Sequence, residues 1–219
     1  MNRDAEPVLM IKNFKIAYPG CDYIRYPEIN LEKGKCISIS GPTGCGKTSL
    51  LNALFKPNFK GEVDYEEAKI LGEDIYSFRS DIFKSVSYMP QYSQDGLNPM
   101  LTIHDQIKLV AESNGLSLKD INFSQLLSKL KLKEFVLRQH RHQMSGGMKQ
   151  RVVLLMSVLK QPAILALDEP SSAIDCLTLE LILEFLIDVK RSGIAILLVS
   201  HDTSFTNYLS DVSIRLEGI

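Results

Sequence analysis

The sequence has 219 residues, with 25 Lys+Arg against 26 Asp+Glu for a formal charge of -1, four cysteines and no tryptophan. At 45% hydrophobic residues it can bury a sizeable core, and disordered, collagen-like and coiled-coil classes are excluded. A near-neutral chain without a dense Lys/Arg run is unsuited to coating a nucleic-acid backbone or holding an anionic membrane by charge alone.

The longest strongly apolar stretch, Val152 to Leu159, is broken by Ser157 and closed by Lys160. It falls well short of the ~20 apolar residues that cross a bilayer, so no spanning segment is expected. The start, Met1 to Pro7, carries no apolar run behind a basic residue, and no secretory signal is expected either. Cys21, Cys36, Cys45 and Cys176 stand far apart with no CxxC pair. They read as free thiols of a reducing cytoplasm, not as a disulfide framework or a zinc or iron-sulfur site.

From Val8 to about Met89 the pattern is strand-like: Val8 to Ile16, Tyr23 to Leu31, Cys36 to Ser40, short runs near Val63 and Ile70, and Ser85 to Met89. Pro19-Gly20, Glu32 to Lys35 and Gly61 supply the turns. One helix opens after Gly46, with Leu50, Leu51, Leu54 and Phe55 at helical spacing, and Pro57 ends it. From about Asp95 to Leu159 helices take over. Ile103, Ile107 and Val110 share one face, Leu126, Leu127, Leu130 and Leu132 another, and a third helix starts near Ser145. The rest alternates: strand Ala163 to Leu167, helix from about Thr178 to Arg191, strand Ile194 to Val199, a short helix after Asp202 and a strand near Val212 to Leu216. Continuous apolar strands alternating with helices predict an α/β fold with a parallel sheet covered on both faces.

Gly41-Pro42-Thr43-Gly44-Cys45-Gly46-Lys47-Thr48 fits G-x-x-x-x-G-K-[ST] between a strand and a helix. Its glycines let backbone N–H groups and the positive helix end converge on phosphates. Lys47 would reach the β and γ phosphates, and the Thr48 hydroxyl would coordinate Mg²⁺. A bare glycine-rich turn would not need strand, lysine, hydroxyl and helix together. Ile164 to Leu167 then delivers Asp168 and Glu169 from the end of an apolar strand. Alone, such an ending commonly caps a helix. Beside a phosphate loop, Asp168 suits Mg²⁺ held through water and Glu169 suits a general base polarising the attacking water.

Met144-Ser145-Gly146-Gly147-Met148-Lys149-Gln150-Arg151 places a hydroxyl residue and two glycines at a second helix start. That is a further anion site in principle, or a plain N-cap. Here the sequence resembles the ATP-binding cassette ATPases, whose signature is Leu-Ser-Gly-Gly-Gln, and the resemblance covers nearly the whole chain. It implies a P-loop NTPase (RecA-like) core with an N-terminal antiparallel β-subdomain and an inserted α-helical subdomain. The implied single domain divides into a core of residues 1–94 and 160–219 and helices at 95–159. It also implies a sandwich dimer in which Ser145, Gly146 and Gly147 of one subunit close on the ATP held by residues Gly41 to Ser49 of the other.

By the same resemblance Tyr18 stacks on adenine, and Gln91, rather than the nearby Gln94, touches Mg²⁺ and water. Ser171 to Asp175 forms the loop crossing the dimer interface, and His201 contacts the γ phosphate. Met144 for Leu conserves volume, and Met148 replaces the Gln. Cys45 at a helix N-terminus favours thiolate, so alkylation is expected to inhibit and ATP to protect. His140-x-His142, beside Arg138 and Arg141, reads as a solvated basic loop more than a metal site.

Gln91 to Ile103, with its Gln-Asp and Leu-Asn-Pro steps, resembles the peptide and nickel importer ATPases. This implies a peripheral subunit on the cytoplasmic side of the membrane, working with a second ATPase subunit, transmembrane permease subunits and an extracytoplasmic solute-binding protein, without nucleic acid. Few residues follow His201, so the C-terminal extension of many such ATPases is expected to be missing. Exporter or lipoprotein-release ATPases are the alternative, and soluble cassette ATPases of DNA repair or translation a more distant one.

Overall fold

A computed structural model describes residues 6–78, 82–172 and 174–217. Residues 1–5, and Ala173 of the Ser171 to Asp175 loop, lie outside them. In chain order the first elements are β1 (Leu9–Lys12), β2 (Lys15–Ala17), β3 (Ile24–Arg25), β4 (Ile29–Leu31), β5 (Cys36–Ser40), α1 (Lys47–Phe55), β6 (Glu62–Asp64), β7 (Glu67–Ile70) and β8 (Glu73–Asp74). Next come α2 (Ile75–Phe78), α3 (Ile82–Ser85), β9 (Val86–Met89), α4 (Ile103–Ser113), α5 (Phe123–Lys129) and α6 (Gly146–Val158). The chain continues through β10 (Ile164–Asp168), α7 (Cys176–Arg191), β11 (Ala195–Val199), α8 (Thr203–Leu209) and β12 (Val212–Arg215).

The parallel sheet runs β12-β5-β11-β10-β9, and two antiparallel sheets run β4-β1-β7-β8 and β3-β2-β6. The α/β class expected from the pattern is what forms. Two long strands expected near the start are each broken where the chain changes sheets. Asn13 adopts a left-handed φ of 50 between β1 and β2, and Pro27, which has no N–H to give a ladder, separates β3 from β4. The Tyr26 N–H bonds the Phe14 carbonyl at 2.9 Å across that double break. The short helices α2 and α3 were not expected, because four residues each are too few to show a period.

Successive side chains of a strand face opposite sides, and here the two sides build two cores. Ile164 and Ala166 of β10 join Leu197 of β11, Ile39 of β5 and the α1 residues Leu50, Leu51 and Leu54. Leu165 and Leu167 join Leu198 and the α6 and α7 residues Leu155, Ile182 and Leu186. Each fully buried aliphatic side chain contributes about 1.5–3 kcal/mol, which explains why these strands are apolar throughout. The alternation carries one step further: Asp168 falls on the face of Ile164 and Ala166, toward α1.

Candidate functional site

The carboxyl ends of β5, β10 and β11 lie side by side, with Asp168 paired to Val199 and Val199 to Ile39. In a parallel α/β sheet this is the edge that faces a ligand. From β5 the chain enters the phosphate loop and then α1, whose N-cap Gly46 has φ 95 and no side-chain cap. Only glycine fits there: a Cβ would meet the Tyr26 hydroxyl at 2.7 Å. That hydroxyl donates to the Gly46 carbonyl at 2.9 Å from a buried position, and burial raises its pKa. Lys47 folds back over the loop, its Nζ 2.8 Å from the Gly41 carbonyl oxygen and 2.9 Å from that of Pro42. Cys45 is 2% exposed, with Sγ 3.9 Å from Lys47 Nζ. This burial stands against the ready alkylation expected of Cys45, because its side chain is packed away from solvent.

Asp168 is 2% exposed, and neither carboxylate oxygen has a hydrogen-bond partner among the described residues. Burial, followed by the charge of Glu169, pushes its pKa up against the favourable pull of the Thr48 hydroxyl, Lys47 and Tyr88. Tyr88 gives its own proton to Asn52 Oδ1 of α1 at 3.1 Å. A desolvated carboxylate with free lone pairs, facing a threonine hydroxyl and a lysine, fits a hard divalent cation such as Mg²⁺. Gln91, the third residue expected at that ion, is exposed in the turn after β9, and Gln94 lies in the short 3-10 helix Ser93–Gly96.

Glu169 ends the strand alternation in a left-handed φ of 52, a strained conformation for a side chain of this kind. Its N–H donates to the Val199 carbonyl at 2.8 Å, and its carbonyl accepts from Ser172 N at 3.1 Å and Ser172 Oγ at 2.6 Å. So held, its Oε2 lies 2.8 Å from His201 Nδ1 and accepts from the His201 N–H at 3.3 Å. The carboxylate is nearly covered at 10% side-chain exposure, while the imidazole is 70% exposed.

Tyr18 donates its hydroxyl to Ser49 Oγ at 3.1 Å and meets Phe59 edge-on at 5.6 Å between ring centres. Ser145 caps α6 by accepting from Met148 N at 3.3 Å, and Ser145 and Gly146 are exposed. Gly147 packs on α7, where a Cβ would meet Thr178 Oγ1 at 2.8 Å. Thr178 is fixed in turn by Asp175, the cap of α7. The His140 and His142 rings stack 5.6 Å apart, and no group of three or more His, Cys, Asp or Glu able to hold a metal occurs among the described residues. Arg141 is not a free basic side chain: its guanidinium donates to the carbonyls of Asp95 and Leu97 at 2.6 and 3.0 Å.

The family model described as "ABC transporter" matches residues 25–172, more than half of the chain. The chain belongs to the ABC transporter family. Among its relatives in this family, the dipeptide transport ATP-binding protein DppD of Caldanaerobacter subterraneus is 30% identical over 198 residues, covering 84% of this chain and 60% of that protein. The aliphatic sulfonates import ATP-binding protein SsuB 2 of Pseudomonas syringae pv. tomato is 31% identical over 89% of this chain and 76% of its own length. The spermidine/putrescine import ATP-binding protein PotA of Thermotoga maritima is 32% identical over 95% of this chain and 56% of its own. The chain thus spans less than two thirds of the length of two of these three relatives.

Among solved structures, an ATP-binding subunit of an ABC transporter superposes with a TM-score of 0.80 at 22% identity, covering 95% of this chain and 85% of that one. The dimeric bacterial ABC transporter cassette MJ0796 superposes at 0.71 and 25% identity, covering 95% and 94%. Tyr26, Tyr88 with Asn52, Gln150 and Thr178 shape the site without having been singled out in the sequence. Each acts across tens of residues; Tyr88 lies three residues before Gln91 and Gln150 within the Met144 to Arg151 segment, but neither motif marks the contact that the side chain makes.

Proposed function

We propose that this chain is the ATP-hydrolysing subunit of an importer, coupling ATP binding and hydrolysis in a sandwich dimer to solute passage through separate membrane subunits. The observation that carries hydrolysis is the convergence of Lys47, the unpartnered Asp168 and the Glu169–His201 pair at one sheet edge. Residues Gly41 to Ser49 cradle the phosphates of ATP on backbone N–H groups and the uncapped start of α1. Thr48, Asp168 and Gln91 would hold Mg²⁺, which when bound would supply positive charge to the phosphate groups. Glu169 accepts the proton of the attacking water, and His201, bonded to one carboxylate oxygen, fixes the direction of the other and faces the γ phosphate. Tyr18 contacts adenine, and Ser145, Gly146 and Gly147 close on the nucleotide of a second subunit.

The import direction is supported by the sulfonate and polyamine relatives, both import ATP-binding proteins. The Gln91 to Ile103 stretch, with the dipeptide relative, favours a solute of the peptide, nickel or metal-chelate type delivered by an extracytoplasmic binding protein. For the membrane partner, a groove of about 610 Å³ between core and helices is lined by Phe55, Met89, Met156 and the exposed rings of Phe83 and Tyr92. An apolar groove of this kind receives a permease segment. No helix among the described residues is long and apolar enough to cross a membrane, in keeping with a peripheral subunit on the cytoplasmic face. The domain assignment that goes with this reading is a core of residues 1–94 and 160–219 around helices at 95–159.

Glu169→Gln tests the reading. It is expected to keep ATP binding and to lower turnover by roughly 10²–10⁴-fold, so that ATP accumulates a dimer in size-exclusion chromatography. Turnover at the wild-type rate rejects Glu169 as the base.

A further inference from the structure

Gln150 lies on the second turn of α6, 6% exposed, and its side-chain amide Nε2 donates to the carbonyl oxygen of Pro170 at 3.1 Å. Pro170 is buried and follows Glu169 directly. The strained backbone of Glu169 is therefore gripped on three sides: by Val199 at its N–H, by Ser172 at its carbonyl, and by Gln150 at the next peptide. A buried amide spends its donor here because an unpaired one would be costly. The grip also has a direction. The same helix α6 begins at the exposed Ser145 and Gly146, and its Gly147 sits flush on Thr178 of α7. Helix α6 thus connects an exposed glycine-rich end to the peptide that follows Glu169.

We propose that Gln150 is a positioning residue for hydrolysis, holding the Pro170 peptide so that Glu169 keeps its left-handed backbone and its carboxylate stays aimed beside His201. The inference rests on the hydrolytic reading above. Gln150 is buried against the Pro170 carbonyl and acts through Glu169, and misplacing a catalytic group by a fraction of its working distance is costly.

The test is a double-mutant cycle with Glu169→Gln, read by single-turnover hydrolysis of radiolabelled ATP, by fluorescent-ATP affinity and by thermal melting. Gln150→Met, which keeps volume and loses the donor, is expected to lower kcat about ten- to a hundredfold while nucleotide Kd stays within about twofold. On the Glu169→Gln background the same change is expected to alter the residual rate by less than about twofold, because the group it positions is already gone. Equal loss on both backgrounds, loss of affinity in step with rate, or an unchanged kcat overturns the positioning role. Should Gln150→Met fail to fold, Gln150→Glu keeps shape and polarity but offers no donor when ionised. It is expected to show the same split between kcat and Kd, and a wild-type kcat in that folded variant overturns the proposal. A wild type without ATP hydrolysis, or Glu169→Gln at full rate, refutes the hydrolytic reading itself and takes this inference with it. An active wild type matched by Gln150→Met refutes only the role of Gln150.

Discussion

Helix α1 begins at Gly46 with no side-chain cap, whereas α6 begins at Ser145, whose hydroxyl already accepts from the Met148 N–H. Around the first start the chain supplies a floor: the buried Tyr26 hydroxyl under Gly46, the Cys45 side chain packed inward and Lys47 over the loop carbonyls. Around the second, Ser145 and Gly146 stand in solvent, and of the two glycines only Gly147 has a neighbouring side chain, Thr178, within reach of an added Cβ. Both ends carry unsatisfied N–H groups and a positive dipole end. The first is a socket finished within one chain. The second, on the sandwich-dimer reading proposed above, is half of a contact that another subunit completes.

The largest effect expected from this difference is on nucleotide affinity of the isolated chain. Lys47→Ala should weaken ATP binding roughly 10- to 100-fold, the worth of one hydrogen bond to a charged group. Ser145→Ala should leave it within about threefold while costing ~1 kcal/mol of stability through the lost cap. Fluorescent-ATP titration decides, and equal losses in the two variants would erase the distinction between socket and half-contact.

Adjacent glycines of the signature helix sharpen it further. Gly147→Ala drives a methyl against Thr178 Oγ1 and should cost about 1–3 kcal/mol, with recovery when Thr178→Ala is added. Gly146→Ala meets nothing within 4 Å and should stabilise α6 by roughly 0.5–1 kcal/mol. Urea denaturation reads both signs.

Asp168 gives the next prediction. Burial first, then Glu169, raise its pKa in the folded state, so between the unfolded value near ~3.9 and the folded one the folded chain holds the extra proton. Stability then falls as pH rises through that window. Asp168→Asn removes this penalty and should raise the melting temperature of the ligand-free chain by about 2–4 °C at pH 7, or ~1 kcal/mol, with no gain near pH 3. The same variant should lose the stabilisation that Mg²⁺ adds to ATP in wild type. A variant melting lower than wild type at pH 7 contradicts the cost assigned to the buried carboxylate.

The smallest effect concerns thiols. Cys21 and Cys176 are exposed, Cys36 and Cys45 buried, and burial pushes the Cys36 thiol up to about 12. Brief maleimide labelling read by mass spectrometry should mark the first two alone. Fast modification of Cys45 would mean that the loop opens readily and is no finished socket.

What the sequence disclosed and what it withheld divide along a physical line. The phosphate loop and the Asp168-Glu169 strand end were legible because each is a local pattern: glycines, a lysine and a hydroxyl at fixed spacing, or carboxylates closing an apolar run. The helices α4, α6 and α7 were legible by period. The grip of Gln150 on Pro170 and the Tyr26 hydroxyl beneath Gly46 join residues 20 apart in each case, and no local pattern carries such a pairing. Cys45 was misjudged for the same reason: a helix N-terminus tells of its dipole, while only tertiary packing tells which way a side chain points. The left-handed turn at Glu169 also left no mark, since propensity would have placed glycine or asparagine there.

That last substitution has an evolutionary side. Glycine at position 169 would relax the backbone at a stroke, and a single base change in a glutamate codon suffices to make it. On the hydrolytic reading proposed above, Glu169→Gly would give a sturdier chain that grips ATP and does not hydrolyse it, so a nucleotide-gated clamp lies one mutation away.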